Sequence, residues 1–198
     1  MARIPARERR HQLVAAAFRV IGAEGFAAAT TRRVCAEAGA PLAAFHYCFA
    51  SKRELLSELT DYAMGELEAA RAGGAVVRAT VVESLRATLR GYWDTVEADP
   101  NREAVLTALT QHALGDPALA DVARRQYEAY HRTARATLAE VAQGCGVRWR
   151  LPVEQVARMT VVVTDGVTIA WLLDRDSAAA LGVLDAFAEQ LALLAEPA

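Results

Sequence analysis

The amino-acid sequence predicts an all-α protein, and three observations lead to this fold class. Hydrophobic residues make up 54% of the 198 residues and are mostly Ala, Leu and Val, of which Ala and Leu form helices readily. Only 12 Gly and 6 Pro occur, too few for an all-β chain with many turns. Apolar residues recur three and four positions apart along most of the chain. The chain is long enough to bury a core, and its content of 23% charged residues beside 54% hydrophobic ones excludes global disorder.

The short helices near the amino terminus carry start and stop signals. Gly25 follows the first helix, where a C-terminal glycine belongs, and Thr30 or Thr31 caps the second. Pro41 is tolerated only in the first turn of a helix, so a third helix begins there. Ser51 caps a fourth helix, in which Glu54 completes a capping box.

The longer helices are separated by glycine and proline. Breaks are predicted at residues 73–74, 99–100, 115–117 and 144–146. Residues 147–151 alternate in polarity but are interpreted as a connector before Pro152. The predicted helices span about residues 6–23, 31–38, 42–49, 52–71, 76–98, 101–114, 117–143, 153–173 and 177–195.

Charge divides the chain unevenly. Residues 1–55 hold nine Lys and Arg against four Asp and Glu, a net charge of +5, whereas residues 56–198 carry a net charge of −7. A basic segment on an acidic body is expected when one end binds a polyanion such as nucleic acid. A solvated basic surface without a partner is the alternative.

Several functional classes are disfavoured by what the sequence lacks. It contains no GxSxG, Walker, HExxH or CxxC motif, so we expect no enzyme, no metal and no cofactor. Three cysteines and no secretory leader indicate a reducing cytoplasm; Cys35, Cys48 and Cys145 are expected to be buried or inert rather than redox sensors. Apolar stretches are interrupted by charge, so we expect no membrane span.

Residues 31–49 have the pattern of a helix-turn-helix. Two short helices flank a tight turn at residues 39–41, and the second helix of such a pair enters the DNA major groove. The first predicted helix packs behind the pair through four apolar residues, Leu13, Ala17, Phe18 and Ile21. A helical adaptor that binds only proteins is the alternative, but it explains neither the charge nor the turn.

Residues 30–39 (TTRRVCAEAG) and 45–56 (FHYCFASKRELL) resemble the tetracycline-repressor (TetR) family, and the resemblance covers about residues 7–60. Further along, Asp165-Gly166 and Trp171 are similar to betaine-regulator-like members. The resemblance implies a transcriptional repressor that binds a near-palindromic double-stranded DNA operator as a homodimer and is released by a small-molecule effector. It also implies two domains, a DNA-binding head (residues 1–52) and an effector-binding and dimerisation body (residues 53–198).

Two departures from the family pattern concern the recognition helix. His46 stands where the family usually has Tyr, and Cys48 stands where it usually has His or Tyr. Both positions normally lie near DNA, so base preferences cannot be transferred from the family.

The predicted DNA contacts divide into phosphate contacts and base contacts. Phosphate contacts are assigned to the start of the second helix, to Tyr47 and to Lys52, the one lysine of the chain; Arg33 either adds charge or is only solvated. His46 contacts a phosphate or a base edge, and the apolar pair beside it can contact a thymine methyl. Phe45 and Phe49 are interpreted as core. The predicted DNA-binding residues are Thr31, Arg32, Arg33, Leu42, Ala43, His46, Tyr47 and Lys52.

The amino-terminal run of Arg3, Arg7, Arg9 and Arg10 has two interpretations. It is either an arm that reaches adjacent DNA or a flexible solvated start.

Effector-binding candidates in the body are aromatic and polar residues at helical spacing, a mixture that suits an apolar pocket with a few placed polar groups. Asp165 stands out because its segment is otherwise almost uncharged, and a buried carboxylate is costly unless paired. It binds a ligand cation or hydroxyl, or it pairs across a subunit interface, and pairing is the favoured interpretation. The candidates are Trp93, Thr110, Tyr127, Tyr130, Thr164 and Asp165.

The last two predicted helices are too apolar for a monomer surface. Residues 157–173 are nearly uncharged, and the final helix adds Leu181, Leu184, Phe187, Leu191 and Leu194 at helical spacing. Two such helices from each of two subunits make a four-helix dimer interface. Twofold symmetry then sets the recognition helices about one DNA turn apart, roughly 34–36 Å.

Overall fold

The structure, a computed structural model, describes residues 5–70 and 74–198. These residues form nine α-helices, which confirms the all-α prediction. The helices are α1 (Ala6–Glu24), α2 (Thr31–Glu37), α3 (Leu42–Cys48), α4 (Lys52–Ala70), α5 (Val81–Ala98), α6 (Pro100–Gly115), α7 (Ala120–Cys145), α8 (Val153–Asp174) and α9 (Ser177–Ala192). Short 3-10 turns lie at Phe26–Ala28 and Pro117–Leu119. The predicted arm residue Arg3 and the predicted break at Gly73 lie outside the described residues.

The chain divides into two compact units. The first contains residues up to Glu66 together with Asn101–Gln126, and the second contains Leu67–Pro100 and Tyr127–Ala198. The first unit therefore includes most of α4 and α6 besides the helix-turn-helix. The predicted boundary between residues 52 and 53 separates a DNA-binding part from an effector-binding part. A division into compact units does not test that separation, so the boundary stays a prediction.

The core of the first unit holds the helix-turn-helix on α1. Leu13, Ala17 and Ile21 are buried as predicted, and Phe18 packs against them partly buried. Phe45 of α3 and Phe49, which directly follows α3, are buried in the same core. The chain turns between α2 and α3 at Gly39, whose φ of +59° suits a residue without a Cβ.

Side-chain caps set the starts of the helices in this unit. The Thr30 hydroxyl accepts a hydrogen bond from the Arg33 amide at 3.2 Å, so Thr30 rather than Thr31 caps α2. Ser51 accepts from the Glu54 amide at 3.2 Å, as predicted. Glu54, however, accepts from the Ala50 amide at 2.8 Å, so its carboxylate satisfies a donor one residue earlier than the capping box requires.

The second unit is built on α5, α8 and α9. Helix α5 packs against α9, which packs against α8, and Trp93 and Leu184 are fully buried between them. Helix α5 begins at Val81, five residues later than predicted, because Thr80 and Glu83 form a complete capping box there.

The connector predicted at residues 147–151 contains a strand. Strand β1 (Val147–Trp149) pairs antiparallel with β2 (Ala195–Pro197), and Arg148 lies opposite Glu196. The final helix accordingly ends at Ala192 instead of continuing to residue 195. The alternating pattern of the segment was the signal for a strand, but its partner lies far along the chain, where local patterns give no information.

Candidate nucleic-acid interface and effector site

Helix α3 has a buried side and an exposed side. Phe45 and Cys48 anchor it in the core of the first unit. Its exposed side chains are those predicted to face DNA, and Tyr47 is 70% exposed; they are Leu42, Ala43, His46 and Tyr47. The spacing of the two anchors at three residues fixes the rotation of the helix, so the structure brings these four candidates onto one surface.

The three candidates at the start of α2 differ in their surroundings. Thr31 is half-buried and Arg32 is exposed. The Arg33 guanidinium forms ion pairs with Glu24 (Nη2–Oε1 2.6 Å) and with Glu37 (3.1 Å). The charge of Arg33 is therefore largely offset within the protein, which the sequence spacing did not indicate.

Lys52 begins α4 and rests on an aromatic ring. Its Nζ lies 4.9 Å from the centroid of the Phe26 ring, and Phe26 in turn stacks on His112 at 3.9 Å. Burial lowers the pKa of the Lys52 ammonium, although the side chain as a whole remains exposed. A cation over an aromatic ring is stabilised by about 0.5–1 kcal/mol at exposed sites, so this lysine is positioned before any partner binds.

Arg10 belongs to the fold and not to an arm, and Arg7 and Arg9 lie in α1 instead of a flexible start. Its guanidinium donates to Glu54 and to Glu58, in the latter case with Nε 2.7 Å from Oε1, and also to the Cys48 carbonyl. It also lies 4.5 Å from the Phe49 ring centroid. One side chain of α1 thereby links the end of α3 to α4.

The cysteines of the first unit are buried, as expected. Cys35 and Cys48 lie in its core, and burial raises the pKa of the Cys35 thiol. Cys145 is partly buried, with its Sγ 3.3 Å from the Ser84 hydroxyl.

Three effector candidates meet between α7 and α8. The Tyr127 hydroxyl donates to Asp165 Oδ2 at 2.5 Å, and the Tyr127 and Tyr130 rings pack edge-on at 5.5 Å. Burial, with the neighbouring carboxylate, raises the pKa of Tyr127 above its usual range. Asp165 is thus hydrogen-bonded to a tyrosine of its own chain, and its pairing across a subunit interface stays a prediction.

His131 joins this group, although it is not among the effector candidates predicted from the sequence. Its ring lies 6.4 Å from that of Tyr127. Burial lowers its pKa, Arg158 lowers it further, and Asp165 raises it. Its position four residues after Tyr127, on the same side of a helix, was the available signal.

The other effector candidates have contacts outside the Asp165 group or lie in the first unit. Trp93 is fully buried and packs edge-on against Trp171 at 5.3 Å; no acceptor among the described residues bonds its indole Nε1. Thr164 donates to the Thr160 carbonyl of its own helix at 2.9 Å. Thr110 lies in α6, in the first unit, so the structure does not group it with the other five.

Large apolar side chains are exposed on the outer surfaces of α8 and α9. Val162 is 65% exposed and Leu173 is 84% exposed on α8, and Val183 is half exposed on α9. The residues that the sequence assigned to the α9 interface face inward: Leu184 and Leu191 are buried, and Leu181, Phe187 and Leu194 pack partly buried against the core of this unit. Because α9 is apolar on nearly all sides, periodicity could not tell which side faces its own core.

Comparison with known proteins identifies the family. Residues 13–59 match the family model described as bacterial regulatory proteins, tetR family, and residues 81–193, more than half of the chain, match that of the BetI-type transcriptional repressor, C-terminal. The chain belongs to the TetR family. It is a ligand-responsive transcriptional repressor and not an enzyme, as predicted.

Individual relatives agree with this assignment. The nicotine-responsive transcriptional repressor HdnoR of Paenarthrobacter nicotinovorans is 29% identical over 181 residues, which cover 87% of this chain and 88% of that one. The multidrug binding protein EbrR, solved in complex with imidazole, is 26% identical with a TM-score of 0.66 over 96% of this chain and 97% of that one. A transcriptional regulator from Rhodococcus sp. Rha1 shares the fold, with a TM-score of 0.74 at 22% identity over 96% and 98% of the two chains.

TetR-family regulators bind DNA operators and small-molecule effectors and act as dimers.

Among the described residues, α8 is the one helix long and apolar enough to cross a membrane, and only 33% of its most apolar stretch is buried. Core helices of soluble proteins pass the same test of length and composition.

Proposed function

We propose that this TetR-family repressor acts in the cytoplasm as a homodimer that binds a near-palindromic operator through α2 and α3. The observation that carries the proposal is the exposed side of α3, held by buried anchors in the segment of the chain with a net charge of +5. A helix presented in this way fits the major groove, and the positive charge favours a polyanion.

Individual residues take different roles in this proposal. Thr31, Arg32, Tyr47 and Lys52 contact phosphates and position the head. His46 reaches a phosphate or a base edge from the exposed side of α3. Arg33 contributes less than Arg32, because its charge is already offset by two glutamates.

The dimer is proposed to form through the outer surfaces of α8 and α9. Exposed apolar side chains such as Val162, Leu173 and Val183 are unfavourable in water, and a second subunit removes them from it. Small residues between them, Gly166 and Gly182 among others, are exposed as well and allow two helix pairs to approach closely, as in a four-helix bundle.

The effector is proposed to be a small cyclic molecule with a basic nitrogen. Asp165 offers a carboxylate among the aromatic rings of Tyr127, Tyr130 and His131, and such rings attract cations. The Trp93 Nε1 is a buried donor that a ligand acceptor would satisfy. The nicotine response of one relative and the imidazole bound to another support this class.

Selection from random duplexes tests the DNA-binding proposal. We expect enrichment of a near-palindromic sequence bound by two copies of the chain, with an affinity that falls steeply as salt rises. Absence of enrichment, together with duplex affinity that does not depend on salt, would contradict the proposal.

Release of that operator tests the effector class. Nicotine and imidazole are titrated into the complex while the anisotropy of labelled operator is followed. We expect release by at least one of them, and Asp165→Asn to raise the concentration needed by about tenfold or more, since it removes a partly buried charge partner. Asp94→Asn, at an exposed carboxylate of α5, is the matched control and should respond like wild type. Operator release unaffected by either compound would reject the effector class but leave the repressor assignment intact.

A further inference from the structure

Three consecutive apolar residues are exposed where the recognition helix begins. Pro41 is the N-cap of α3, and Leu42 and Ala43 form its first turn. All three are exposed, and Leu42 retains 40% of its accessible surface. Phe45 and Cys48 hold the opposite side of α3 in the core, so this apolar surface faces outward because of the fold and is available to a partner.

The side chains that most often read bases are missing from α3. Its seven residues, LAAFHYC, contain no Arg, Lys, Asn, Gln, Asp or Glu. Bidentate recognition of guanine uses Arg or Lys, and that of adenine uses Asn or Gln. His46 and Tyr47 are the polar side chains of the helix, and neither forms such a fork. Hydrogen bonding from α3 therefore specifies few base pairs.

The major groove offers an apolar side chain one distinctive target, the C5-methyl group of thymine. The first residues of a recognition helix are those that contact base edges, and Leu42 and Ala43 hold that position. The net charge of +5 in residues 1–55 favours DNA over an apolar protein partner on this surface.

We infer that the operator half-site presents thymine methyl groups to Leu42 and Ala43, and that this apolar contact selects the bases there. The inference rests on the proposed DNA-binding function and deepens it. It assigns specificity to two side chains without a polar atom and predicts that A·T pairs occupy the base steps facing the start of α3.

Replacing thymine by uracil tests the inference, because uracil lacks only the methyl group. Each thymine of the selected operator is replaced in turn and the dissociation constant is measured. We expect one or two positions in each half-site to lose about fourfold in affinity, the effect of removing one buried methyl-sized group. Substituting both half-sites together should cost about 15-fold. At the same positions, a 5-methylcytosine·guanine pair should bind more tightly than a cytosine·guanine pair.

Two variants assign the effect to the protein. Leu42→Ala shortens an exposed side chain and leaves the core intact; it should bind thymine and uracil operators alike at the position that Leu42 faces. Lys52→Ala should bind both more weakly and keep the fourfold difference. Equal affinity of the wild-type protein for thymine and uracil operators would overturn the inference while the repressor function stands. Absence of salt-dependent duplex binding would overturn the proposed function, and the inference with it.

Discussion

The exposed side of α3 and the surroundings of Asp165 present their side chains in opposite ways. His46 and Tyr47 point outward from a helix whose other side is anchored in the core. Asp165 accepts a hydrogen bond from Tyr127, and its neighbour Thr164 donates to its own helix. DNA can meet α3 as it stands, whereas an effector at Asp165 has to replace an internal hydrogen bond. Substitutions on α3 should therefore change DNA affinity without changing stability, and those at internally bonded groups should do the reverse.

The largest effect on operator affinity is expected from a substitution on α8, which carries the exposed Val162 as well as the internally bonded Asp165. Val162→Glu introduces a charge on the exposed apolar surface, and burying it in the dimer should cost roughly 3 kcal/mol or more. Sedimentation should show a monomer at micromolar concentration, and operator affinity should fall about 100-fold. The control Leu114→Glu alters a leucine of α6 that is 75% exposed, against 65% for Val162, and should remain dimeric. A wild-type protein that sediments as a stable monomer would contradict the dimer.

His46→Ala should have the next largest effect. If His46 reads a base edge, its removal costs about 1–3 kcal/mol per half-site and relaxes the preference at one position. Loss of affinity that is equal for all single-base variants would instead assign His46 to a phosphate. Because His46 is exposed, the free energy of unfolding should not change, and a large loss of stability would break the contrast between α3 and the Asp165 group.

These predictions depend on features that differ in how far the sequence determines them. The capped helices of the helix-turn-helix were predicted because Thr30, Gly39 and Ser51 act on their immediate neighbours. The assignment of Phe45 and Phe49 to the core followed from periodicity, and both side chains are buried. Local signals also explain the error at α5, where the Thr80–Glu83 capping box is present in the sequence and marks the true start of the helix.

Other features depend on residues that meet only in the folded chain. The pairing of β1 with β2, the Tyr127–Asp165 hydrogen bond and the linkage of Arg10 to α4 each join segments far apart in sequence. Arg33 was assigned to DNA from its position, but Glu24 and Glu37 offset its charge. Individual contacts of this kind cannot be obtained from spacing, because many charged pairs satisfy the same spacing.

Lys52 combines the properties of exposed and internally bonded groups, because its side chain is exposed and its Nζ also rests on the Phe26 ring. Lys52→Ala should weaken binding to all sequences about equally, by roughly 1 kcal/mol per half-site. It should also lower the slope of log affinity against log salt by about 0.9 for each phosphate that the lysine no longer neutralises. Tyr47→Phe should weaken all sequences equally as well, with an unchanged slope.

Arg148→Ala is the matched control for charge, since it removes one cation from β1 in the second unit. It should leave both operator affinity and salt slope close to wild type. Unchanged affinity and slope in Lys52→Ala would remove Lys52 from the DNA-binding surface.

The smallest effect is expected at Glu54, and it concerns acid stability. Hydrogen bonds from Arg10, and then from the Ala50 amide, lower the pKa of Glu54 below its ordinary value. A carboxylate whose pKa is lower in the folded protein stabilises the fold above its unfolded pKa, and this contribution is lost as the pH falls through the folded value. Glu54→Gln should therefore be less stable than wild type at pH 7, and the difference should shrink as the pH falls below about 4.3, the ordinary pKa of a glutamate. Urea unfolding at several pH values measures it.

A double-mutant cycle decides whether Arg10 carries this effect. In an Arg10→Met background, Glu54→Gln should change acid stability much less, since only the bond from the Ala50 amide remains. Equal effects of Glu54→Gln in both backgrounds would mean that the capping interaction, and not the guanidinium, sets the acid dependence. Because Arg10 and Glu54 bond to each other inside the first unit, both variants should bind the operator like wild type wherever they are fully folded. A folded Glu54→Gln protein with altered base preference would show that this internal pair also positions α3 on DNA, and the division between exposed and internally bonded groups would then fail in the helix-turn-helix itself.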